Sequence, residues 1–562
     1  MNDLRKGAWR RRPTVGSGPL VVLAALYFSL ASNASFWAAF GASEAGQSPD
    51  AWTLGLGMAV AITALHAGLL LFVVNRWTRN VVLPIVFFVT AAAAFYMDRY
   101  HVYIDRYMVA NVLVTEPKEA RELITPDFVL ALLLHGLLPS VLVWWTRAPV
   151  RSVRIGIAMH GLGIAIALVV ALGAIGLNYQ SLSSLMRNEK AMRHLIAPGN
   201  WMVALGKALR ERRGADAPRQ VIATDARIER PAGSRPRLVV VVVGETVNAA
   251  HWGLNGYARP TTPRLAALDG VNYPDVEACG TNTEVSLPCM FSAQGLANYD
   301  RDAIRGSESL LHLIDHLGVS TLWRDNQTGC KGICDGLPFE SYLQATVPAH
   351  CDGDRCFDSV LLHELDAAVA RMPGDAVVVL HMLGNHGPSY YARYPEAFKR
   401  FTPSCEVDEL GDCERDTIVN AYDNAILYTD TVVADAVAWL EQQSAARDTA
   451  LIYVSDHGES LGESGLYLHG VPRMIAPDEQ LKVPMWLWLS PALREADGIN
   501  LACLREQASN PRTHDVLFST VLGLMRVETA AKDPALDLLE GCRPAVAAAP
   551  APGAALSVEQ AR

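Results

Sequence analysis

No cysteine precedes position 279, although the chain is 562 residues long and carries ten of them. Cys-x-x-Cys spacing is missing as well, which counts against a cysteine-ligated zinc site. Long lysine or arginine blocks are absent and the net charge is −10, so the basic stripe that a nucleic-acid partner needs is not there. Charge of either sign is scarce before about residue 180, while proline, glycine and charge concentrate after it. Length alone argues for several domains, since single cores rarely grow beyond roughly 250–300 residues.

The cysteines that are present lie in short local pairs: Cys279 with Cys289, Cys330 with Cys334, Cys351 with Cys356, and Cys405 with Cys413. An even number so arranged reads as disulfides in an oxidising compartment. Cys503 and Cys542 remain, and their pairing stays open.

The apolar excess falls into five runs, roughly 19–40, 52–74, 81–96, 128–145 and 155–177. A membrane-spanning helix needs about 20 such residues; the third run is the shortest. Arg5, Lys6, Arg10, Arg11 and Arg12, then Arg76 and Arg79, then Arg147, Arg151 and Arg154 mark one side as cytoplasmic. Five crossings starting inside leave everything after Gln180 outside, in agreement with the cysteines. The first run also suits a signal peptide, but it is long and lacks a small-residue cleavage site, so a retained anchor is expected.

His66, His135 and His160 fall inside these runs, either as functional groups or as neutral imidazoles bonded to a neighbouring helix. The third loop, 97–127, holds Tyr100, Tyr103, Tyr107, Asn111, Glu116 and Glu119, and suits a headgroup-framing segment or a solvated connection equally. Residues 182–213 alternate apolar and basic positions at helical spacing, with Arg187, Lys190 and Arg193 suited to an anionic membrane surface. Residues 214–236 read as an exposed linker and those after about 544 as a disordered Ala/Pro-rich tail.

Three β-branched runs in the second half read as buried parallel strands: 237–243, 376–380 and 449–454. Each ends in polar residues: Gly244-Glu245-Thr246, then His381 through Gly387, then Ser455-Asp456-His457-Gly458-Glu459. Open α/β sheets build sites at that edge. Glu245, Asp456 and His457 offer two carboxylates and an imidazole, a donor set that suits Zn²⁺, and His386 and His469 add two more imidazoles. A hydroxyl-rich turn, Gly280 to Pro288, lies between Cys279 and Cys289. A helix starting near Thr283 would put its hydroxyl where free N–H groups favour anions. A metal can activate such a hydroxyl for attack. Spacing leaves Thr281, Thr283 and Ser286 equally eligible.

These residues resemble the phosphoethanolamine transferases that modify lipid A and confer polymyxin resistance, within the alkaline phosphatase and sulfatase superfamily. The resemblance rests on Val243-Gly244-Glu245-Thr246, the Cys279–Cys289 segment, Gly384-Asn385-His386-Gly387-Pro388, Ser455 through Glu463, Leu468-His469-Gly470 and Ala476-Pro477. It implies a five-helix membrane domain (1–180), amphipathic bridging helices and linker (181–235), an α/β alkaline-phosphatase-like periplasmic domain (236–545) and the tail (546–562). It further implies one tightly held Zn²⁺ on Glu245, Thr283, Asp456 and His457, a possible second ion, and Thr283 as nucleophile. His386 and His469 then serve substrate phosphate, a second metal or proton transfer, with Asn326, Gln327 and Lys331 on the substrate side. Phosphatidylethanolamine is the implied donor and a lipid A phosphate or related glycolipid the acceptor, in a monomer of the bacterial inner membrane. The alternative acceptors are core heptose and periplasmic glucan.

A sulfatase would carry cysteine or serine at the place of Thr283. Phosphoglycerol transferases also use threonine, but the dense cysteine pairs favour a Gram-negative periplasm. A scaffold built on an inactive hydrolase would have lost ligands or nucleophile, and every expected group is present.

Overall fold

The computed structural model describes residues 12–543 apart from 116, 151, 215–217 and 354, with the backbone alone at a few further positions. Arg5, Lys6, Arg10, Arg11, Glu116, Arg151 and the Ala/Pro-rich tail lie outside the described residues, as do the side chains of Glu119 and Arg187.

The first half is helical: α1 (Ser17–Ala31), α2 (Ala34–Ala42), α3 (Ala51–Val73), α4 (Arg79–Tyr100), a shorter α5 (Arg106–Val114), then α6 (Pro126–Trp145) and α7 (Val153–Leu177). Four of these are each long and apolar enough to cross a membrane, and α1 with α2 make a fifth candidate bent by 48°. The run 19–40, expected as one helix, is therefore broken, and Asn33 accounts for the break. Its fully buried amide donates to Phe28 O (2.8 Å) and Ala197 O (2.9 Å) and accepts from Ala197 N (2.7 Å). In an apolar surround those bonds satisfy the backbone groups that the bend releases. The third run proves longer than 81–96, because its charged end is paired. Asp98 accepts from the backbone of Ser35 (3.1 Å), and Arg99 from α4 meets Glu409 of the second half (2.7 Å).

Basic loops gather at the opposite end of the bundle. Arg79 donates to Val15 O (2.7 Å), and Thr14 pairs with Arg147. His135 bonds Tyr27 (2.7 Å), and His160 lies 3.0 Å from Val74 O, so both join neighbouring helices. His66 is buried, and its Nδ1 has no hydrogen-bond partner among the described residues.

Two helices follow, α8 (Tyr179–Asn188) and α9 (Gly199–Gly214). Lys190 and Arg193 between them are exposed. The N-terminal half of α9 packs on the membrane bundle through Trp201, Met202 and Leu205. The segment read as a linker is exposed but laid along the second half: Gln220 pairs with Ser307, Arg219 with Asp335, and Arg227–Ile228 with Val527–Glu528.

The second half is built on eight strands: β1 (Arg237–Gly244), β2 (Val271–Glu277), β3 (Ser320–Asp325), β4 (Phe339–Ser341), β5 (Ala376–His381), β6 (Asp448–Ser455), β7 (Lys482–Leu489) and β8 (Arg512–Thr513). Their order is β8-β2-β7-β6-β1-β5-β3-β4, parallel from β6 to β4, with β7 antiparallel to both its neighbours. The valine run of β1 is buried at every position because it is central. Val239, Val241 and Val243 face one core, and Leu238, Val240 and Val242 the other, as a period of two requires. Five disulfides join Cys279–Cys289, Cys330–Cys334, Cys351–Cys356, Cys405–Cys413 and Cys503–Cys542.

Replacing Asn33 by alanine removes three buried hydrogen bonds and leaves Ala197 N–H unpaired. A loss of about 1–3 kcal/mol is expected, read as a lower melting temperature of the detergent-solubilised full chain.

Candidate active site

Register places the site. Val243 pairs with His381 on one side and Val454 on the other, and Gly244 pairs with Ser455. Glu245, Met382 and Asp456 therefore leave the sheet at one level. Gly384 permits this: a Cβ there would lie 2.7–2.9 Å from Glu245 backbone and side-chain atoms, and its φ of +54° is one that L residues rarely adopt.

Glu245, Asp456 and His457 are fully buried, and one ligand atom from each lies within 4.8 Å of the other two. His457 Nε2 is 3.3 Å from Glu245 Oε1 and 3.5 Å from Asp456 Oδ2, while its Nδ1 lies 2.9 Å from Gly458 O. A proton on Nδ1 is thereby favoured, and Nε2 faces the carboxylates. Asp456 Oδ2 is buried and has no hydrogen-bond partner among the described residues. Burial and then Glu245 push the Asp456 carboxyl up to about 7. Burial opposes charge on His457 too, but Asp456 and Glu245 outweigh it and raise the imidazole to about 10. Burial likewise acts against ionised Glu245 and is outweighed by His457, which, with His386 and His469 adding, holds that carboxyl below its ordinary range. Two buried carboxylates demand positive charge between them, and a protonated imidazole is what these residues alone provide. An unsatisfied buried oxygen, a second carboxylate and an imidazole aimed at both fit a divalent cation such as Zn²⁺.

Thr283 opens the helix α10 (Thr283–Met290), whose cap is Asn282, accepting from Val285 N at 3.1 Å. Its Oγ1 lies 3.2 Å from Glu245 Oε2 and 3.4 Å from His457 Nε2. The alternatives left open by spacing are engaged elsewhere: Thr281 donates to Val471 O (2.7 Å), and Ser286 Oγ accepts from Gly280 N (2.9 Å). Gln327 donates to Glu245 Oε2 (3.0 Å). Asn326 is turned away, donating to Asp358 (2.9 Å), which also holds the Leu383 and Gly384 N–H groups (2.8 Å each). Lys331 lies 3.7 Å from Glu284, beside the threonine. The His469 ring stands 4.5 Å from that of His457 and 5.3 Å from that of His386.

Several contributors escape reading along the chain. Glu459, fully buried, accepts from His469 Nδ1 (2.8 Å) and from the Tyr390 hydroxyl (2.5 Å). Asp325 bonds His381 (2.7 Å) and receives N–H groups of Gln327 (3.2 Å) and Gly329 (2.9 Å), so it shapes the Gln327 loop. His514, its pKa lowered by burial to about 3, accepts from Cys279 N (3.2 Å) and donates to Ser455 O (2.9 Å), joining the threonine loop to β6. Apart from the contacts of Asp325 within its own loop, Glu459–His469 is the one of these pairs close in sequence, ten residues apart.

A valine-rich parallel sheet with acids and histidines at its carboxyl edge defines a hydrolase-like domain of the sulfatase type, and residues 237–527 match the sulfatase family. Residues 62–213 match the family described as phosphoethanolamine transferase EptA/EptB. The chain is 36% identical over 540 residues to phosphoethanolamine transferase EptA of Salmonella typhimurium, covering 95% of this chain and 98% of that one. It is 38% identical to phosphatidylethanolamine transferase Mcr-1 of Escherichia coli, covering 92% and 96%. The integral membrane lipooligosaccharide phosphoethanolamine transferase A of Neisseria meningitidis superposes with a TM-score of 0.88 at 37% identity, over 94% of this chain and all of that one. The chain belongs to the phosphoethanolamine transferase family.

Glu245→Ala or Asp456→Ala removes one of two clustered carboxylates. Each is expected to lower bound zinc at least severalfold in the purified protein, measured by elemental analysis, and unchanged stoichiometry would contradict the ligand set.

Proposed function

We propose that the chain transfers phosphoethanolamine from phosphatidylethanolamine to a phosphate of lipid A or a related outer glycolipid, through a phosphothreonine at Thr283. The carrying observation is the position of Thr283 Oγ1, at a helix start and 3.2–3.4 Å from Glu245 and His457. A Zn²⁺ held by Glu245, Thr283, Asp456 and His457 would lower the hydroxyl's pKa and offset phosphoryl charge. In the first half-reaction Thr283 Oγ forms a bond to phosphorus, the bond from phosphorus to the glycerol oxygen breaks, and diacylglycerol leaves with a proton. In the second, an acceptor phosphate oxygen takes the phosphorus, the bond to Thr283 breaks, and the hydroxyl regains its proton.

The chain's residues divide this work. Gln327 fixes Glu245, and Asn282 caps the helix whose first N–H groups favour the anionic phosphate. His469, oriented by Glu459, is the proton donor to the leaving oxygen, with His386 beside it and Lys331 on the substrate side. Asn326 acts through the turn it holds. Both substrates are lipids, which accounts for a membrane half joined directly to the catalytic half. The compartment that agrees with five disulfides and with basic loops at the far end of the bundle is the periplasm, with the helices in the inner membrane. The domain division at about residues 180, 235 and 545 belongs to the same reading.

Thr283→Ala is expected to abolish transfer, by at least about 10³-fold, while zinc content and melting stay close to wild type. Turnover retained by that variant would move the nucleophile elsewhere. Fed headgroup-labelled phosphatidylethanolamine or phosphatidylglycerol, the wild-type enzyme should trap label from the ethanolamine lipid; label from the glycerol lipid alone would reject the donor.

A further inference from the structure

A cavity of about 530 Å³ lies against the C-terminal part of α10, lined there by Pro288, Phe291 and Ser292. Its other walls bring together Arg210 and Arg219 from the bridging segment with Arg301, Arg305 and Lys331 of the catalytic half. Three acids share the lining, and two are engaged: Asp335 holds Arg219 (2.5 Å), and Glu308 faces His316 (2.9 Å). The third, Asp302, is exposed. Arg305 reaches out of the cavity to Glu284 (2.6 Å), the residue after Thr283. Arg301 stacks over Tyr107 of α5, 5.5 Å from the ring centroid. Elements anchored in the membrane bundle, α5 and α9, thus border a basic pocket whose inner wall is the nucleophile's own helix.

We propose that this cavity anchors a phosphate monoester of the acceptor glycolipid other than the one that is modified, with Arg210 and Arg301 as the contacting cations. The proposal rests on phosphoethanolamine transfer at Thr283. The volume falls within the range of small-ligand sites. The reacting phosphate belongs at Thr283, and the cavity lies toward the opposite end of an eight-residue helix, roughly 10 Å away at 1.5 Å per residue. A group bound there is therefore a second anion of the same molecule, about a sugar ring or more from the first. Charge supports an anion as occupant: burial, then Arg305 and Arg106, lower the Arg301 guanidinium to about 10, and a phosphate relieves that like-charge crowding. Guanidinium groups also suit phosphate better than a point charge does. Such an anchor would favour acceptors with two separated phosphates.

The test uses the full-length Thr283→Ala protein in lipid nanodiscs, which cannot turn over, and measures binding of lipid A carrying two phosphates against lipid A carrying one. The two-phosphate form is expected to bind roughly tenfold tighter. Arg210→Ser or Arg301→Gln should remove most of that preference, and Arg301→Lys should retain part of it. Arg210 is exposed, so its variant keeps the test valid if the Arg301 variant misfolds. With Thr283 intact, the same variants should release diacylglycerol from phosphatidylethanolamine at the wild-type rate while the KM for the two-phosphate acceptor rises about tenfold. Equal affinity for the two acceptors in the parent, or a preference untouched by either variant, would overturn the anchoring site and leave the transferase reading standing. Absence of diacylglycerol release from wild type would sink both. Inorganic phosphate that displaced the two acceptors equally, with both variants indifferent, would assign the cavity to a free anion instead.

Discussion

Two carboxylates, Glu245 and Asp456, share a space from which water is excluded, and most of the catalytic half is arranged around that fact. Like charges so placed raise each other's affinity for protons, so one proton or one cation must lie between them. Here His457 supplies it from the residue next to Asp456, with Nε2 within 3.5 Å of both acids. The strand register, the glycine at 384 and the Gln327 amide all hold Glu245 at that distance. The same need for positive charge suits the cluster to a metal ion, and the Thr283 hydroxyl lies at its edge. Burial is thus the cause of the chemistry: in water, Coulomb attraction at these distances is worth only about 1 kcal/mol.

The membrane half is tied to this cluster by short polar links. Glu122 accepts from Arg393 at 2.7 Å and also meets Arg355; Arg393 in turn donates to His386 O at 2.6 Å. Arg99 and Tyr100, at the end of α4, both reach the buried Glu409. Within the third loop, which suits either a headgroup frame or a solvated connection, helix α5 packs between α9 and α10. Its cap, Asp105, accepts from Tyr107 N and Met108 N at 2.9 Å, which fixes the turn that aims Tyr107 at Arg301. These links fix the position of the cluster relative to the helical bundle.

Much of this was legible along the chain because its causes are local. Valine runs declare buried parallel strands, and acids or histidines directly after them declare an edge site. Paired cysteines declare clamped turns, and apolar runs of sufficient length declare helices. What escaped reading depends on partners far apart in sequence. Nothing near Asn33 predicts that its amide meets Ala197, so the first span reads as unbroken. Asp98 and Arg99 look like the end of an apolar run until Ser35 and Glu409 are seen to pair with them. Asn326 and Gln327 are neighbours with similar side chains, yet one faces Asp358 and the other Glu245. Their separation comes from the loop that Asp325 ties to β5 through His381, a contact across 56 residues. Thr283 was singled out from Thr281 and Ser286 by resemblance alone; in the fold, the hydroxyls of the other two are held by backbone groups.

The two site histidines differ in a way that bears on proton transfer. His469 Nδ1 is bonded to a carboxylate that is itself buried and held by a tyrosine hydroxyl, so the orientation of its ring is set. A carboxylate behind an imidazole is the arrangement by which triad enzymes fix a general acid–base. His386 sits on a turn whose carbonyl accepts from Arg393, a contact that fixes the loop. In the transfer proposed above, the residue oriented through its ring nitrogen is the one suited to deliver a proton to the leaving oxygen. Glu459 has no exposed surface, and among the described residues its carboxylate is held by Tyr390 and His469.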